Sequence, residues 1–307
     1  KVGVVGAGYF GRYHAEKYVH IPRVNLIGIA DLVPERARDV AKKNKTQPFS
    51  DAAELYDKVE AVSIVVPTPH HYSVTREFLR RGIHVLLEKP MAATVAEAKK
   101  MNELAQAKNL TLQIGHLERF NPALTALHQT LTNPRFIESH RLQSFIERAI
   151  DVDVIMDLMI HDIDVILSLV RSDVKEVRAT GVPVISPRID IANARIAFEN
   201  GCVANVTASR VSLKAMRKIR IFQPDVYFSI DLAQRKVSIH RKVSGKRVAN
   251  FPEIAEENIS PPEYDPLEAE IQAFVESVFN KTPPPVTGLD GLKALEVAIE
   301  IHNQIGV

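Results

Sequence analysis

Val2-Gly3-Val4-Val5-Gly6-Ala7-Gly8-Tyr9-Phe10-Gly11 decides the fold. Val2–Val5 is a short apolar run that reads as a strand, and Gly6, Gly8 and Gly11 follow it at Gly-x-Gly-x-x-Gly spacing where a helix should open. The three glycines have separate uses: a tight turn, close approach of backbone to a pyrophosphate, and close packing of helix on strand. The helix amino terminus then offers N–H groups and a positive dipole end to phosphates, with Tyr9 and Phe10 beside them. Alone, this spacing describes a glycine-rich turn equally well. Asp31 adds context, because it closes the second apolar run, 20 residues after Gly11. A carboxylate there can accept hydrogen bonds from the adenine ribose and repel a 2′-phosphate. Leu32 and Val33 follow it rather than arginine or serine, so NAD is expected over NADP. Arg36 and Arg38 argue the other way, and a turn-starting aspartate before Pro34 is the alternative reading.

Outward from this stretch the first ~115 residues keep one rhythm. The apolar runs Val2–Val5, Leu26–Ala30, Ala61–Val66, His84–Leu87 and Leu110–Ile114 alternate with amphipathic segments such as Glu35–Lys43 and Tyr72–Arg81. Continuous apolar runs mean strands covered on both faces, and strand–helix alternation means a parallel sheet. After Phe120 the pattern changes. Pro122–Leu131 and Val152–Val170 read as helices, and short alternating segments follow between Val174 and His240, with Asn200-Gly201 as a hairpin turn. The chain closes with helices near Leu267–Asn280 and Leu289–Ile305. The expectation is an α/β protein: an N-terminal doubly wound parallel sheet of Rossmann type over 1–117, and a C-terminal α+β domain with an open, mostly antiparallel sheet over 118–307. The last helices are expected to pack back on the first domain.

Bulk properties narrow the function. A net charge of +2 with no basic block argues against nucleic acid, and no apolar run approaches the ~20 residues of a membrane span. A single cysteine, Cys202, excludes an internal disulfide and favours a reducing compartment. The immediate strand at Val2 leaves no room for a signal peptide, so a cytoplasmic protein is expected.

Glu88-Lys89-Pro90 ends a buried-strand pattern at the sheet edge where ligands bind. A lysine between a carboxylate and a proline suits proton chemistry better than packing, although a Lys-Pro pair is commonly just a turn. Val66-Pro67-Thr68-Pro69-His70-His71 ends the preceding strand: Pro67 and Thr68 suit the nicotinamide-ribose side, and His71 either contacts cofactor or substrate or, like His70, is an exposed loop histidine. In the apolar segment Asp151–Val170, Asp153, Asp157, His161 and Asp164 form one polar stripe. Charges in a buried helix are costly unless paired or facing a wet cavity, so the stripe predicts a site. A buried structural network and a metal site from Asp153, Asp157 and His161 compete with it. No further ligand cluster accompanies the metal reading, and none is expected. Asp153 is explained by helix capping alone. Arg119-Phe120-Asn121-Pro122 joins the halves. Arg119 binds either an anionic substrate group or a carboxylate of the fold, and Asn121 caps the helix that Pro122 opens.

Taken together, the glycine fingerprint, Glu88-Lys89-Pro90, Arg119–Pro122 and Asp157-x-x-x-His161-x-x-Asp164 resemble the glucose–fructose oxidoreductase / inositol dehydrogenase (Gfo/Idh/MocA) family over essentially the whole chain. The resemblance implies an NAD-dependent sugar dehydrogenase with Lys89, Asp157 and His161 as its catalytic set. It implies NAD contacts from Gly6, Gly8, Tyr9, Phe10, Gly11, Asp31, Pro67, Thr68, His71, Glu88 and Lys89, and substrate contacts from Lys89, Arg119, Asn121, Asp157 and His161. A cis peptide at Lys89-Pro90 and a homodimer or homotetramer built through the second sheet are also implied. The family's glycine triplet before the helix and its glycine between Asp and His are replaced here by Asp151-Val152-Asp153 and Met159. That variant is similar to the nucleotide-sugar members, which oxidise the 3-hydroxyl of UDP-N-acetylglucosamine in amino-sugar and lipid A synthesis. A polyol, dihydrodiol or imine oxidoreductase and a non-catalytic NAD-sensing regulator are the alternatives.

Overall fold

In the computed structural model, all residues are described except 128–129, 146–151, 249–250 and 307, together with the side chains of 246 and 248. Asp151 of the expected helix therefore lies outside the described residues. The chain forms two compact units, one of Lys1–Leu117 with Asp265–Leu295, the other of Glu118–Tyr264 with the residues from Glu296 onward.

The first unit is built on six parallel strands: β1 (Val2–Val5), β2 (Leu26–Ala30), β3 (Gln47–Phe49), β4 (Ala61–Ile64), β5 (His84–Glu88) and β6 (Leu112–Gly115). Their order is β3-β2-β1-β4-β5-β6, the doubly wound arrangement whose strand order reverses beside β1. β1 and β4 are buried along their whole length, as expected for strands covered on both faces. β3 is three residues long and contains Pro48. A proline belongs on an edge strand, where its missing N–H is not needed, and so short a run carries no periodic signal.

Helix Pro266–Asn280 belongs to this unit. Its Ile271, Phe274 and Val275 join the same buried cluster as Ala15, Tyr18 and Ile21. Asp265 caps the helix by accepting from Leu267 and Glu268 N–H, and Pro266 occupies the first position, where its lack of an N–H costs nothing.

The second unit holds an eight-stranded sheet: β7 (Phe136–Leu142), β8 (Val174–Val182), β9 (Ile191–Phe198), β10 (Val203–Ser209), β11 (Met216–Gln223), β12 (Val226–Asp231), β13 (Lys236–Val248) and β14 (Phe251–Ile259). The order is β14-β13-β12-β11-β7-β10-β9-β8. All neighbours are antiparallel except β7 and β10. β9 and β10 flank the Asn200-Gly201 turn, where Gly201 has φ +80°. Alternate residues of β9, Ala192, Ala194, Ile196 and Phe198, are buried while Asn193 and Arg195 are exposed. β7 and β14 go unrecognised by sequence reading because charged residues dilute their alternation.

Two helical expectations are corrected. Among the described residues of Pro122–Leu131 the α-helix covers Pro122–Thr125, and the Leu127 N–H that follows bonds the Leu124 carbonyl, a tighter i to i−3 turn. Val152–Val170 is not one α-helix: a π-turn occupies Ile155–Met159 and the α-helix runs Ile160–Val170. Asp153 caps the π-turn through Ile155 and Met156 N–H, and the Ile160 N–H reaches back to the Ile155 carbonyl.

Phe274 is fully buried in the first unit's core. Phe274→Ala should destabilise the protein by about 3–5 kcal/mol, through lost transfer energy and the cavity left behind. Chemical denaturation monitored by circular dichroism checks this.

Candidate active site

Four loops leave the carboxyl ends of β1, β2, β4 and β5 on the first unit. In the β1 loop, Gly6 has φ +99°, and a Cβ there would lie 2.4 Å from the Val65 carbonyl oxygen. A Cβ on Gly11 would lie 1.8 Å from the Gly6 carbonyl oxygen. Gly8, by contrast, has nothing within 4 Å of its missing Cβ. Two glycines are thus demanded by the protein's own backbone, and the third faces open space that a phosphate can use. Helix Tyr9–His20 starts there with Gly8 as N-cap and no side-chain cap, which leaves its first N–H groups to an anion. Tyr9 and Phe10 are half exposed and meet edge to face.

Asp31 lies at the neighbouring loop. One carboxylate oxygen accepts from Ala7 N–H at 2.7 Å and the other from Val33 N–H at 2.8 Å. Each oxygen retains a second lone pair for a ribose hydroxyl. The geometry therefore fits a dinucleotide, held by the Gly6–Gly11 loop and Asp31.

The β4 loop carries Pro67, exposed, and Thr68, half buried, at the start of a short 3₁₀ turn. The reading of His71 as an exposed loop histidine is corrected: it is only 1% accessible, its Nδ1 lies 2.8 Å from the Pro90 carbonyl and its Nε2 2.8 Å from the Val66 carbonyl. Burial pushes this imidazole below its ordinary pKa, against the opposing pull of those carbonyls. The ring ties the β4 loop to the β5 loop, where Lys89-Pro90 is cis. Glu88 likewise turns inward. One oxygen lies 3.1 Å from His14 Nε2 and the other accepts the Lys89 N–H at 3.2 Å. Lys89 itself is partly exposed at this edge.

In the second unit the expected polar stripe separates by burial. Asp153 is 8% accessible; besides capping the π-turn, it meets His302 Nδ1 at 2.8 Å. Asp164 is 1% accessible and receives Arg119 in a two-point fork, at 2.7 and 3.0 Å. Arg119 thus pairs with a carboxylate of the fold. Asn121 forms the helix cap that the sequence predicts. It is buried, its oxygen caps Ala123, and its amide donates to Glu118 and the Leu232 carbonyl. Asp157 and His161, four residues apart across the π-turn, stay partly exposed.

Sequence reading missed Asp162, Arg141 and His14. Buried Asp162 accepts from Ser139 at 2.7 Å and from Arg141 Nε at 2.5 Å, and Arg141 Nη1 reaches Glu118 at 2.9 Å. Burial opposes the Arg141 charge, but Asp162 and Glu118 raise its pKa above the ordinary value. Burial also works against Glu118, yet Arg141 holds that carboxyl below its usual range. His14 was legible in principle, since it shares a helical face with Gly11, Ala15 and Tyr18, all buried.

Residues 1–116 match the oxidoreductase family with an NAD-binding Rossmann fold, and residues 123–223 match the GFO/IDH/MocA C-terminal domain. The UDP-N-acetylglucosamine 3-dehydrogenase of Acidithiobacillus ferrooxidans is 37% identical over 98% of this chain and 96% of its own length. A solved structure of that enzyme matches with a TM-score of 0.94, covering 99% of this chain and 96% of its own. The NAD(+)-dependent scyllo-inositol 2-dehydrogenase of Bacillus subtilis is 26% identical over 99% of this chain and 93% of its own length.

Arg141→Ala should cost about 3–5 kcal/mol, because it leaves Asp162 and Glu118 buried without their cation. The depressed Glu118 pKa has a definite sign. Its contribution is fully present above the unfolded carboxyl value of about 4.3 and is lost as pH falls through the lower folded value. Denaturant titrations from neutral to acid pH should show this loss in the wild type and less of it in Glu118→Gln.

Proposed function

Because the chain belongs to the GFO/IDH/MocA family of NAD-binding oxidoreductases, we propose that it oxidises the 3-hydroxyl of UDP-N-acetylglucosamine to a ketone. The observation that carries the substrate is the 37% identity to the UDP-N-acetylglucosamine 3-dehydrogenase over nearly the whole of both chains. When bound, NAD supplies the hydride acceptor. The protein's own residues handle the proton and the sugar. His161 takes the hydroxyl proton. Asp157, one turn before it, orients the imidazole and binds a neighbouring hydroxyl. Lys89 hydrogen-bonds the reacting oxygen and stabilises the charge that develops as the proton leaves. Burial supports this division, since Asp153, Asp162 and Asp164 are enclosed in the fold while Asp157 and His161 keep access to solvent.

In the same reading Asp31 selects NAD over NADP. The chain assembles as a homodimer or homotetramer through the outer, polar face of the eight-stranded sheet, and serves amino-sugar supply for lipid A in the cytoplasm. Among the described residues no helix is long and apolar enough to cross a membrane.

Turnover of UDP-N-acetylglucosamine, inositols and free sugars, followed by NADH absorbance, tests the substrate; activity confined to inositols or free sugars would reject the nucleotide sugar. Lys89→Ala and His161→Ala should each lower kcat by about 10²–10⁴-fold while NAD still binds. Near-normal turnover in both would sink the mechanism. Asp31→Ala should raise kcat/KM with NADP relative to NAD, and unchanged kinetics with both cofactors would reject its role.

A further inference from the structure

Lys89 stands at the end of a chain of buried polar contacts that the proposed mechanism does not use. Its main-chain N–H donates to Glu88 Oε2 at 3.2 Å, so the Glu88 carboxylate folds back onto the backbone it precedes. Glu88 Oε1 lies 3.1 Å from His14 Nε2, His14 Nδ1 lies 3.1 Å from Ser63 Oγ, and Ser63 Oγ lies 2.8 Å from the Tyr18 hydroxyl. His14, Ser63 and Tyr18 are completely buried. Opposite them, a Cβ on Gly115 would lie 3.1 Å from Glu88 Oε2, so β6 leaves the carboxylate little room on that side. Glu270, fully buried on helix Pro266–Asn280, completes the cluster: a carboxylate oxygen of Glu270, one of Glu88 and a ring nitrogen of His14 all lie within 4.8 Å of one another.

We propose that His14 is a positioning residue for the reaction, acting through the Glu88 carboxylate to hold Lys89 in place and in a fixed charge state. The inference rests on the catalytic reading of Lys89. Removing the His14 ring frees Glu88 to turn or to take up a proton, and Lys89 then loses both a main-chain anchor and a counter-charge that acts on it. Burial works against the Glu88 charge, while His14 and then Lys89 favour it and hold its pKa below the ordinary carboxyl value. The titratable groups facing the pair are Tyr18 on the same helix as His14, Lys89, Glu270 on helix Pro266–Asn280, and His71, whose imidazole feels the Glu88 charge.

The test uses the full chain with NAD and UDP-N-acetylglucosamine. Glu88→Gln keeps the shape and removes the charge; His14→Ala removes the ring; His14→Gln puts an amide donor in place of the ring. Three quantities are read: NAD affinity by calorimetry, kcat and KM across pH, and the Lys89 ammonium titration by NMR of isotope-labelled lysine, assigned with Lys89→Arg. Glu88→Gln and His14→Ala should lower kcat by about 10–100-fold with NAD affinity preserved. The Lys89 midpoint should move down by about one pH unit as the carboxylate's influence is lost. His14→Gln should recover part of the kcat. An unchanged Lys89 midpoint, with kcat falling only in step with NAD affinity, overturns the proposal and makes His14 a strut of the fold. If His14→Ala does not fold, Glu88→Gln and His14→Gln decide by the same readouts. Near-normal turnover in Lys89→Ala overturns the catalytic reading instead, and the NMR midpoint still reports whether His14 and Glu88 govern the lysine.

Discussion

The approach of Gly11 to the Gly6 carbonyl is the contact on which the first unit depends. No side chain fits between a backbone oxygen and a Cβ 1.8 Å away, so the helix Tyr9–His20 can start only against the end of β1. That start fixes where the helix N–H groups open. It also carries His14, Ala15 and Tyr18 to the buried face of the helix, and from there His14 meets Glu88. The loop that suits phosphates and the loop that carries Lys89 are therefore joined through one helix, and a change at Gly11 acts on both.

The second unit solves a different problem. Its helix Ile160–Val170 is mostly apolar yet buries Asp162 and Asp164. Each carboxylate is matched by its own arginine, Arg141 and Arg119, in forked geometry. Buried ion pairs of this kind contribute little net stability over an apolar replacement, but removing one partner is severe. They fix the rotation of the helix about its axis, since only one rotation brings both aspartates to their arginines. Asp157 and His161 take their orientation from that constraint.

Much of the fold was legible because β1, β2, β4, β5 and β6 are continuous apolar runs, and few other structures bury a strand on both faces. β3, β7 and β14 were not legible. Three residues around Pro48 carry no period, and charged residues such as Glu253, Glu256 and Glu257 in β14 mask any alternation. At the site, the demands at Gly6 and Gly11 were legible because backbone geometry limits what can stand there. The fold-side partners of Arg119, Asn121 and His71 were not, because a polar residue near a junction carries no sequence mark of what it pairs with. In the structure those partners are Asp164, Glu118 with the Leu232 carbonyl, and two main-chain carbonyls.

The π-turn at Ile155–Met159 adds one residue to a turn without altering the helix beyond it. After Ile160 the helix is tied to β7 by Asp162 and to Arg119 by Asp164, while Asp153 anchors the segment's start. The widened turn lies between these anchors. Substitutions there can re-aim Asp157 with the core register left intact, so the accessible and the buried carboxylates of a single continuous segment are held by separate constraints.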